Sequence, residues 1–238
     1  MSVVLMKITD AVVFITGANR GLGLALAQQA IQRGAKKVYA GMRNLQGFNQ
    51  QGIIPIVVDV TDPVSIQKAV AECGDVNLLI NNAGIARLNE SPVDANIAAV
   101  TRTVLDTNLY GVINTTQQFS PILASHAESY IVNILSDVSW EPSTMLASYA
   151  ISKEAAWSFT NSTRQWLAKA NVHVMGVHVG FIDTDLTQSL DIAKISPHTV
   201  AQHVFDGIQQ NAFEVLVGES TQQLKQGLTA TPPSYIKH

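Results

Sequence analysis

The sequence predicts a doubly wound α/β domain, a mainly parallel sheet of about seven strands with helices on both faces. Three observations predict it. Short, continuous apolar runs recur along the chain, as strands buried on both faces require. Each run is followed by a longer stretch with helical periodicity. The 238 residues are 47% apolar and 14% charged, enough apolar material for one large core. The length is about 1.6 times a typical ~150-residue domain, which favours one domain over 1–238.

The elements follow in chain order. Val12 to Ile15 reads as the first buried strand. Leu22, Leu26 and Ala30 then recur at helical spacing, and the helix ends near Gly34. Val38 to Ala40 is the second strand and Ile53 to Val58 the third, despite Pro55. Asp62-Pro63 opens a helix as N-cap and first-turn proline. Val76 to Ile80 is the fourth strand. Ser91-Pro92 reads as another helix start, with Ile97, Val100 and Val104 on one apolar face and helix continuing to about Ala127. Tyr130 to Leu135 is the fifth strand, and Ser148 to Ala170 is helical through Ile151, Ala155 and Phe159. Val172 to Val179 is the sixth strand, Ser196-Pro197 caps one more helix, and Val215 to Val217 is a short last strand.

Composition excludes several classes. The formal net charge is −3 and the longest basic run is Lys36-Lys37, so nothing draws the chain to nucleic acid or anionic membrane. Cys73 stands alone, which rules out a disulfide or a cysteine zinc site within one chain. Lys7 and Asp10 interrupt the apolar residues near the start, so neither a signal peptide nor a membrane span is expected. A cytoplasmic setting is the expectation. The histidines assemble no metal site: His173 and His178 fall on opposite strand faces, and His198 and His203 diverge on their helix. Asp183 and Asp185 read as capping or solvated loop residues.

Sheets of this kind bind ligands beyond the carboxyl ends of their strands. There the first strand runs into Thr16-Gly17-Ala18-Asn19-Arg20-Gly21-Leu22-Gly23, which opens the first helix. Glycines permit a tight turn and close backbone approach, and a helix N-terminus offers free N–H groups to a pyrophosphate. The spacing is G-x-x-x-G-x-G, and no lysine of a triphosphatase loop is present. Charge then selects the dinucleotide. NAD sites place an acidic residue about 20 residues past the turn for the ribose 2′-hydroxyl. No carboxylate occurs from Ala11 to Val58, whereas Arg20, Arg33, Lys36, Lys37 and Arg43 do. Arg43 follows the second strand and Arg20 lies in the turn, so both are candidates for a 2′-phosphate. Arg33, Lys36 and Lys37, at the far end of the helix, are expected to be solvated. The cofactor expected is NADP(H).

Further motifs complete a pattern. Asn81-Asn82-Ala83-Gly84 follows the fourth strand, Asn108 lies in the long helix, and Ser136 ends the fifth strand. Tyr149 and Lys153 stand four apart at the start of the next helix, 13 residues after the serine. Positions i and i+4 share a helix face. A lysine beside a tyrosine favours the phenolate and lowers a pKa that is otherwise near 10, too high for proton exchange at neutral pH.

Taken together, these motifs resemble the short-chain dehydrogenase/reductase family in its single-domain branch, with a Rossmann-type fold, over essentially the whole chain. The resemblance implies an NADP(H)-dependent oxidoreductase acting on a small carbonyl compound or secondary alcohol. It implies Tyr149 as general acid/base, Ser136 as hydrogen-bond donor to the carbonyl oxygen, Lys153 on the nicotinamide ribose, and Asn108 kinking its helix and holding a proton-relaying water. Asp59 and Val60 resemble the adenine-binding dipeptide, Asn82, Ala83 and Gly84 the cofactor-lining turn, and Gly180 to Thr184, with Ile182, the segment meeting the carboxamide. Phe181, Leu186, Leu190 and Ile192, within a substrate-loop region at about 180–196, would wall the pocket. The family's usual pairing through its two long helices implies a homodimer or homotetramer. Two residues depart from the family pattern: Val179 where a proline is usual, and Trp140 after the serine segment, an indole that either lines the pocket or packs elsewhere. An epimerase/dehydratase would show different glycine spacing and a longer chain. A non-enzymatic redox sensor would have no need of all four of Asn108, Ser136, Tyr149 and Lys153.

Overall fold

The computed structural model describes residues 6–88, 91–185, 187–188 and 190–236. Seven parallel strands form one sheet in the order β3-β2-β1-β4-β5-β6-β7. They are β1 (Val12–Thr16), β2 (Lys37–Met42), β3 (Ile53–Val57), β4 (Leu78–Asn81), β5 (Ser129–Ile134), β6 (Val172–Val179) and β7 (Glu214–Val217). Because all seven run the same way, their carboxyl ends share one edge. Pro55 is accommodated because β3 is the outermost strand, where a missing N–H breaks no second ladder.

Helices α1 (Gly21–Gln32) and α6 (Pro197–Gln209) pack together on one face. Helices α2 (Pro63–Glu72), α4 (Gly111–Leu123) and α5 (Ala147–Leu167) cover the other. The strands feed both cores by their period of two: Val13 and Ile15 enter the α1/α6 core, and Val12 and Phe14 the opposite one. A further helix, α7 (Glu219–Gly227), which sequence periodicity did not mark, packs beside β7.

Two expectations need correction. Ser91-Pro92 does not open a helix. The Ser91 hydroxyl accepts from the Val93 amide at 3.2 Å and the Ser91 amide donates to Asp94 Oδ2 at 3.1 Å, closing a turn, and helix α3 (Ile97–Leu105) begins only after Asn96. Nor is the long helix continuous to Ala127. A π-helical segment, Asp106–Tyr110, separates α3 from α4, and α4 stops at Leu123.

Helix α4 is held by Phe119, whose ring meets Phe14 of β1 at a 4.8 Å centroid distance, both fully buried. Phe119→Ala should cost about 3–5 kcal/mol, which lowers Tm by roughly 10 °C for a domain of this size; calorimetry checks this, and a shift of about a degree would show that α4 is anchored elsewhere.

Candidate active site

The site begins where the chain turns from β1 into α1. Gly17 and Gly21 have φ of +67° and +54°, conformations that favour glycine. A Cβ at Gly23 would fall 2.2 Å from the Gly17 carbonyl oxygen and 2.6 Å from Asn82 Nδ2, so no side chain fits there. Beyond the paired ends of β1 and β4, Thr16 Oγ1 accepts from the amides of Asn82 and Ala83, both at 3.0 Å. Asn82 Nδ2 returns bonds to the carbonyls of Thr16 and Gly17 at 3.0 and 3.2 Å.

Arg20 stands at the N-cap of α1 but makes no capping hydrogen bond, leaving the first-turn amides of Gly21, Leu22 and Gly23 to an incoming acceptor. The Leu22 side chain is in the core, so that residue offers its backbone alone. A cradle of uncapped amides with no room for a Cβ fits a dinucleotide diphosphate. Asn19 is exposed at its lip.

Arg43 is exposed directly beyond β2. Its neighbour Asp59 is ionised readily: burial alone would raise its pKa, but the Thr61 amide and hydroxyl and the Arg43 charge hold it down. Val60 is buried against Gly111. Arg20 reaches Asp185 at 2.7 Å, an exposed ion pair that joins the glycine turn to the 180–196 segment. Arg33 and Lys37, expected to be solvated, are instead engaged: Arg33 holds Asp206 and Gln209 at 2.6 Å, and Lys37 holds Asp75 and Tyr39. Asp75 lies at the N-terminal end of the sheet, so Lys37 is remote from the cradle.

The second half of the site lies at the ends of β4 and β5. Asn108 is buried in the π-helical segment, the distortion its position suggested. Its Nδ2 donates to the Ile85 carbonyl and to Ser152 Oγ, both at 2.9 Å, and its Oδ1 accepts from the Ile85 amide at 2.8 Å. It thereby ties the chain after β4 to α5. Lys153 is buried on α5 and its Nζ donates to the Ile134 carbonyl at 2.7 Å. A Cβ at Gly84 would lie 3.8 Å from that Nζ and 3.4 Å from Asn108 Oδ1, so the Asn82–Gly84 turn abuts both side chains. Burial pushes the Lys153 ammonium down to about 8, which suits it to proton exchange near neutrality.

Tyr149 lies one turn before Lys153 and is half-buried. Lys153 Nζ stands 5.6 Å from the centre of its ring. The expected lowering of the phenol by this lysine is not what the structure shows. Burial pushes Tyr149 up to about 12, Ser136 opposes through a hydrogen bond, and the Asp137 charge adds to the rise. The reason is the rotamer: Lys153 turns to the β5 carbonyl rather than to the phenol. Ser136 caps a single 3₁₀ turn, Asp137–Ser139, its Oγ accepting from the Val138 amide at 3.4 Å and donating to Asp137 Oδ1 at 3.2 Å.

Trp140 packs rather than lining a pocket. It is buried and stacks on His178 at 3.9 Å, with Trp157 edge-on at 6.2 Å and Lys225 4.5 Å above its ring. His178, fully buried, sets Nδ1 against the Ser136 carbonyl at 3.0 Å and faces Glu214 at 3.5 Å. Glu214 in turn holds Lys225 at 2.9 Å, and His178 and Lys225 together press its carboxyl down to about 2. Sequence reasoning set His178 aside as a metal ligand and did not see that it braces the serine strand. Among the described residues no cluster of metal-ligating side chains occurs.

The described residues of the segment from Gly180 to Ser196 meet the glycine turn. The segment's ends are pinned by the Ile182–Ile195 bridge and by Asp183 N to Ile195 O at 2.9 Å, and Thr184 packs on Gly21. Phe181 and Ile192 are exposed and Leu190 is partly buried, while Leu186 lies outside the described residues. Asp185 serves the Arg20 pair, so Asp183 and Asp185 form no carboxylate dyad.

Comparison with known proteins agrees with this geometry. Residues 11–194 match the family model described as short chain dehydrogenase. An uncharacterized oxidoreductase of Staphylococcus epidermidis is 31% identical, covering 85% of this chain and 90% of its own. The 3-oxoacyl-[acyl-carrier-protein] reductase of Salmonella typhimurium is 30% identical, covering 78% of this chain and 79% of its own. Among solved structures, a short chain dehydrogenase of Burkholderia cenocepacia in complex with NADP superimposes with a TM-score of 0.90 at 33% identity, over 95% of this chain and 96% of that one. The glycine cradle, the Asn82–Gly84 turn and the residues gathered at the ends of β4 and β5 are those of a chain that belongs to the short-chain dehydrogenase family.

Proposed function

We propose that this chain is an NADP(H)-dependent oxidoreductase that interconverts a small carbonyl compound and its secondary alcohol, with Tyr149 as general acid/base. The observation that carries the proposal is the convergence of Asn108, Ser136, Tyr149 and Lys153 on the strand edge that also holds the uncapped amides of α1. The bound nicotinamide supplies or accepts the hydride. Tyr149 gives its phenolic proton to the carbonyl oxygen, or takes one from the alcohol. Ser136 donates to the same oxygen and steadies its developing charge. Lys153 holds the ribose and, with its ammonium near 8, passes protons toward Tyr149. Asn108 fixes the loop after β4 against α5. The amides of residues 21–23 take the diphosphate, Asp59 and Val60 border the adenine, and Ile182 and Thr184 meet the carboxamide. Arg43, with Arg20, takes the 2′-phosphate. The NADP bound by the Burkholderia relative supports that choice, as does the absence of any carboxylate from Ala11 to Val58.

The chain acts as a homodimer or homotetramer. A groove of about 470 Å³ across α4 and α5, lined by Ile113, Phe159 and Trp166, supports this, with Trp166 77% exposed. The lone Cys73 is buried and its thiol is pushed up to about 12 by burial, in keeping with a cytoplasmic protein that needs no disulfide.

Four variants test this reading. Tyr149→Phe abolishes turnover and leaves cofactor affinity nearly unchanged, whereas Lys153→Ala weakens both; steady-state rates and cofactor fluorescence titration measure the two, and Tyr149→Phe turnover within twofold of wild type would remove Tyr149 from its role. Arg43→Ala should lower NADPH affinity roughly ten- to a hundredfold, the value of a hydrogen bond to a charged group, with NADH affinity barely moved; equal losses for both would place Arg43 away from the phosphate. Trp166→Glu should lower the assembly mass seen by light scattering, and an unchanged mass would move the interface off α5.

A further inference from the structure

Asp137 belongs to neither the cofactor cradle nor the group of four side chains, yet it touches both Ser136 and the glycine that leaves β6. Its Oδ1 accepts the Ser136 hydroxyl at 3.2 Å. Its Oδ2 lies on the Cα of Gly180, so close that a Cβ there would come within 3.0 Å. The carboxyl is half-buried, and burial lifts its pKa above the usual carboxylate range, against Ser136, the Val138 amide and the charge of His178. The titratable groups that interact with it are His178 on β6 and Tyr149 on α5, with Lys153 one turn beyond Tyr149 and Lys225 stacked over Trp140. Among the described residues, none of the cations reaches ion-pair distance of Asp137. Lys153 is committed to the Ile134 carbonyl, Lys225 to Glu214, and His178 to the Ser136 carbonyl.

Such a carboxylate has acceptor capacity to spare. Its one side-chain donor is the hydroxyl that must turn away when Ser136 engages a carbonyl oxygen. A half-buried carboxylate that loses its one side-chain donor and keeps only backbone amides is under-satisfied, so the bound substrate is the natural source of another donor. The spacing fits. Ser136 Oγ and Asp137 Oδ1 stand 3.2 Å apart, close to the separation of two oxygens on adjacent carbons. A carbonyl oxygen can accept from Ser136 while a hydroxyl on the next carbon donates to Asp137.

We propose that Asp137 makes this a site for α-hydroxy carbonyl compounds and the vicinal diols they form on reduction, and that Asp137 is a specificity-determining residue. The proposal rests on the roles given above to Ser136 and Tyr149. In the reduction, hydride from NADPH forms the new C–H bond, the Tyr149 proton completes the new hydroxyl, and the neighbouring hydroxyl stays intact on Asp137. A diketone or an α-keto acid sets acceptor against acceptor, and a plain ketone leaves Asp137 with backbone amides alone.

The test is NADPH oxidation with hydroxyacetone, butanone and diacetyl, in wild type and Asp137→Ala. The wild type should favour hydroxyacetone over butanone in kcat/KM by roughly ten- to a hundredfold, the value of one hydrogen bond to a charged group. It should favour hydroxyacetone over diacetyl as well. In Asp137→Ala the first ratio should fall to within about threefold of unity. A wild type that prefers butanone, or a preference unchanged in Asp137→Ala, overturns the assignment and leaves the hydride-transfer reading standing. Turnover of none of the three carbonyls counts against that reading instead, and thermal melts then decide on Asp137. Propylene glycol, a vicinal diol, should raise the wild-type Tm more than its isomer trimethylene glycol, and the difference should vanish in Asp137→Ala. Equal rises in the wild type, or the same difference in the variant, overturn the role of Asp137.

Discussion

The clasp between Thr16 and Asn82 is the interaction on which the rest of the site depends. At this point in the sheet the chain winds away from β1 in one direction through β2 and β3 and returns on its other side as β4. Loops that leave in opposite directions open a crevice, and a ligand can enter only if the crevice keeps its shape. Thr16 Oγ1 takes two amides from the β4 turn, and Asn82 Nδ2 answers two carbonyls of the β1 turn. Four bonds therefore join the two turns with no backbone ladder between them. The tightness at Gly17 and Gly23 follows, since Ala83 and Asn82 are the atoms a Cβ would strike. Gly84, two residues on, stands against Asn108 and Lys153. Any shift of the glycine turn thus reaches Asn108 and Lys153 through three residues.

The deeper half of the site is built from buried polar groups that hold one another. Asn108 bridges the Ile85 backbone and Ser152, Lys153 reaches β5, and Asn133 of β5 reaches Thr160 of α5 at 2.9 Å. Each bond crosses between elements, so α5 cannot slide on the sheet without exposing an unsatisfied donor. The π-helical turn at Asn108 belongs to this scheme. A regular helix would carry that side chain around with its neighbours, whereas the extra residue in the turn aims it back at Ile85.

The strands were legible because each is a continuous apolar run, and the first helix because its apolar residues keep one face. The glycine turn, the Asn82–Gly84 turn and the Tyr149/Lys153 pair were legible because their chemistry depends on spacing along one segment. What the sequence hid depends on contacts between distant segments. Ser91-Pro92 looks like a helix start, and Ser91 and Asp94 do make cap-like bonds, yet they close a single turn and the helix begins only at Ile97. Lys153 is four residues from Tyr149, yet the Ile134 carbonyl, 19 residues away, takes its ammonium. Trp140 could not be assigned until His178 and Trp157, from β6 and α5, were seen to enclose it. Asp137 carried no pattern at all, because its place beside Gly180 is set by how β5 and β6 end together.

Electrostatics then sets the resting state of this site. Burial acts on Tyr149 and Lys153 in opposite directions, raising the phenol to about 12 and lowering the ammonium to about 8. Both shifts disfavour charge, as a low-dielectric pocket must. Asp137 adds to the rise of the phenol, and it is the nearest carboxylate to act on it. Without a bound cation Tyr149 therefore keeps its proton across the neutral range. Under the proposed function, that makes the site a proton donor first, set for carbonyl reduction. Under that proposal the reverse reaction needs a phenolate, which the Lys153 ammonium does not favour while it is turned to the Ile134 carbonyl. Lys153 differs from Tyr149, because an ammonium near 8 is still mostly charged at pH 7 and gives up its proton just above neutrality.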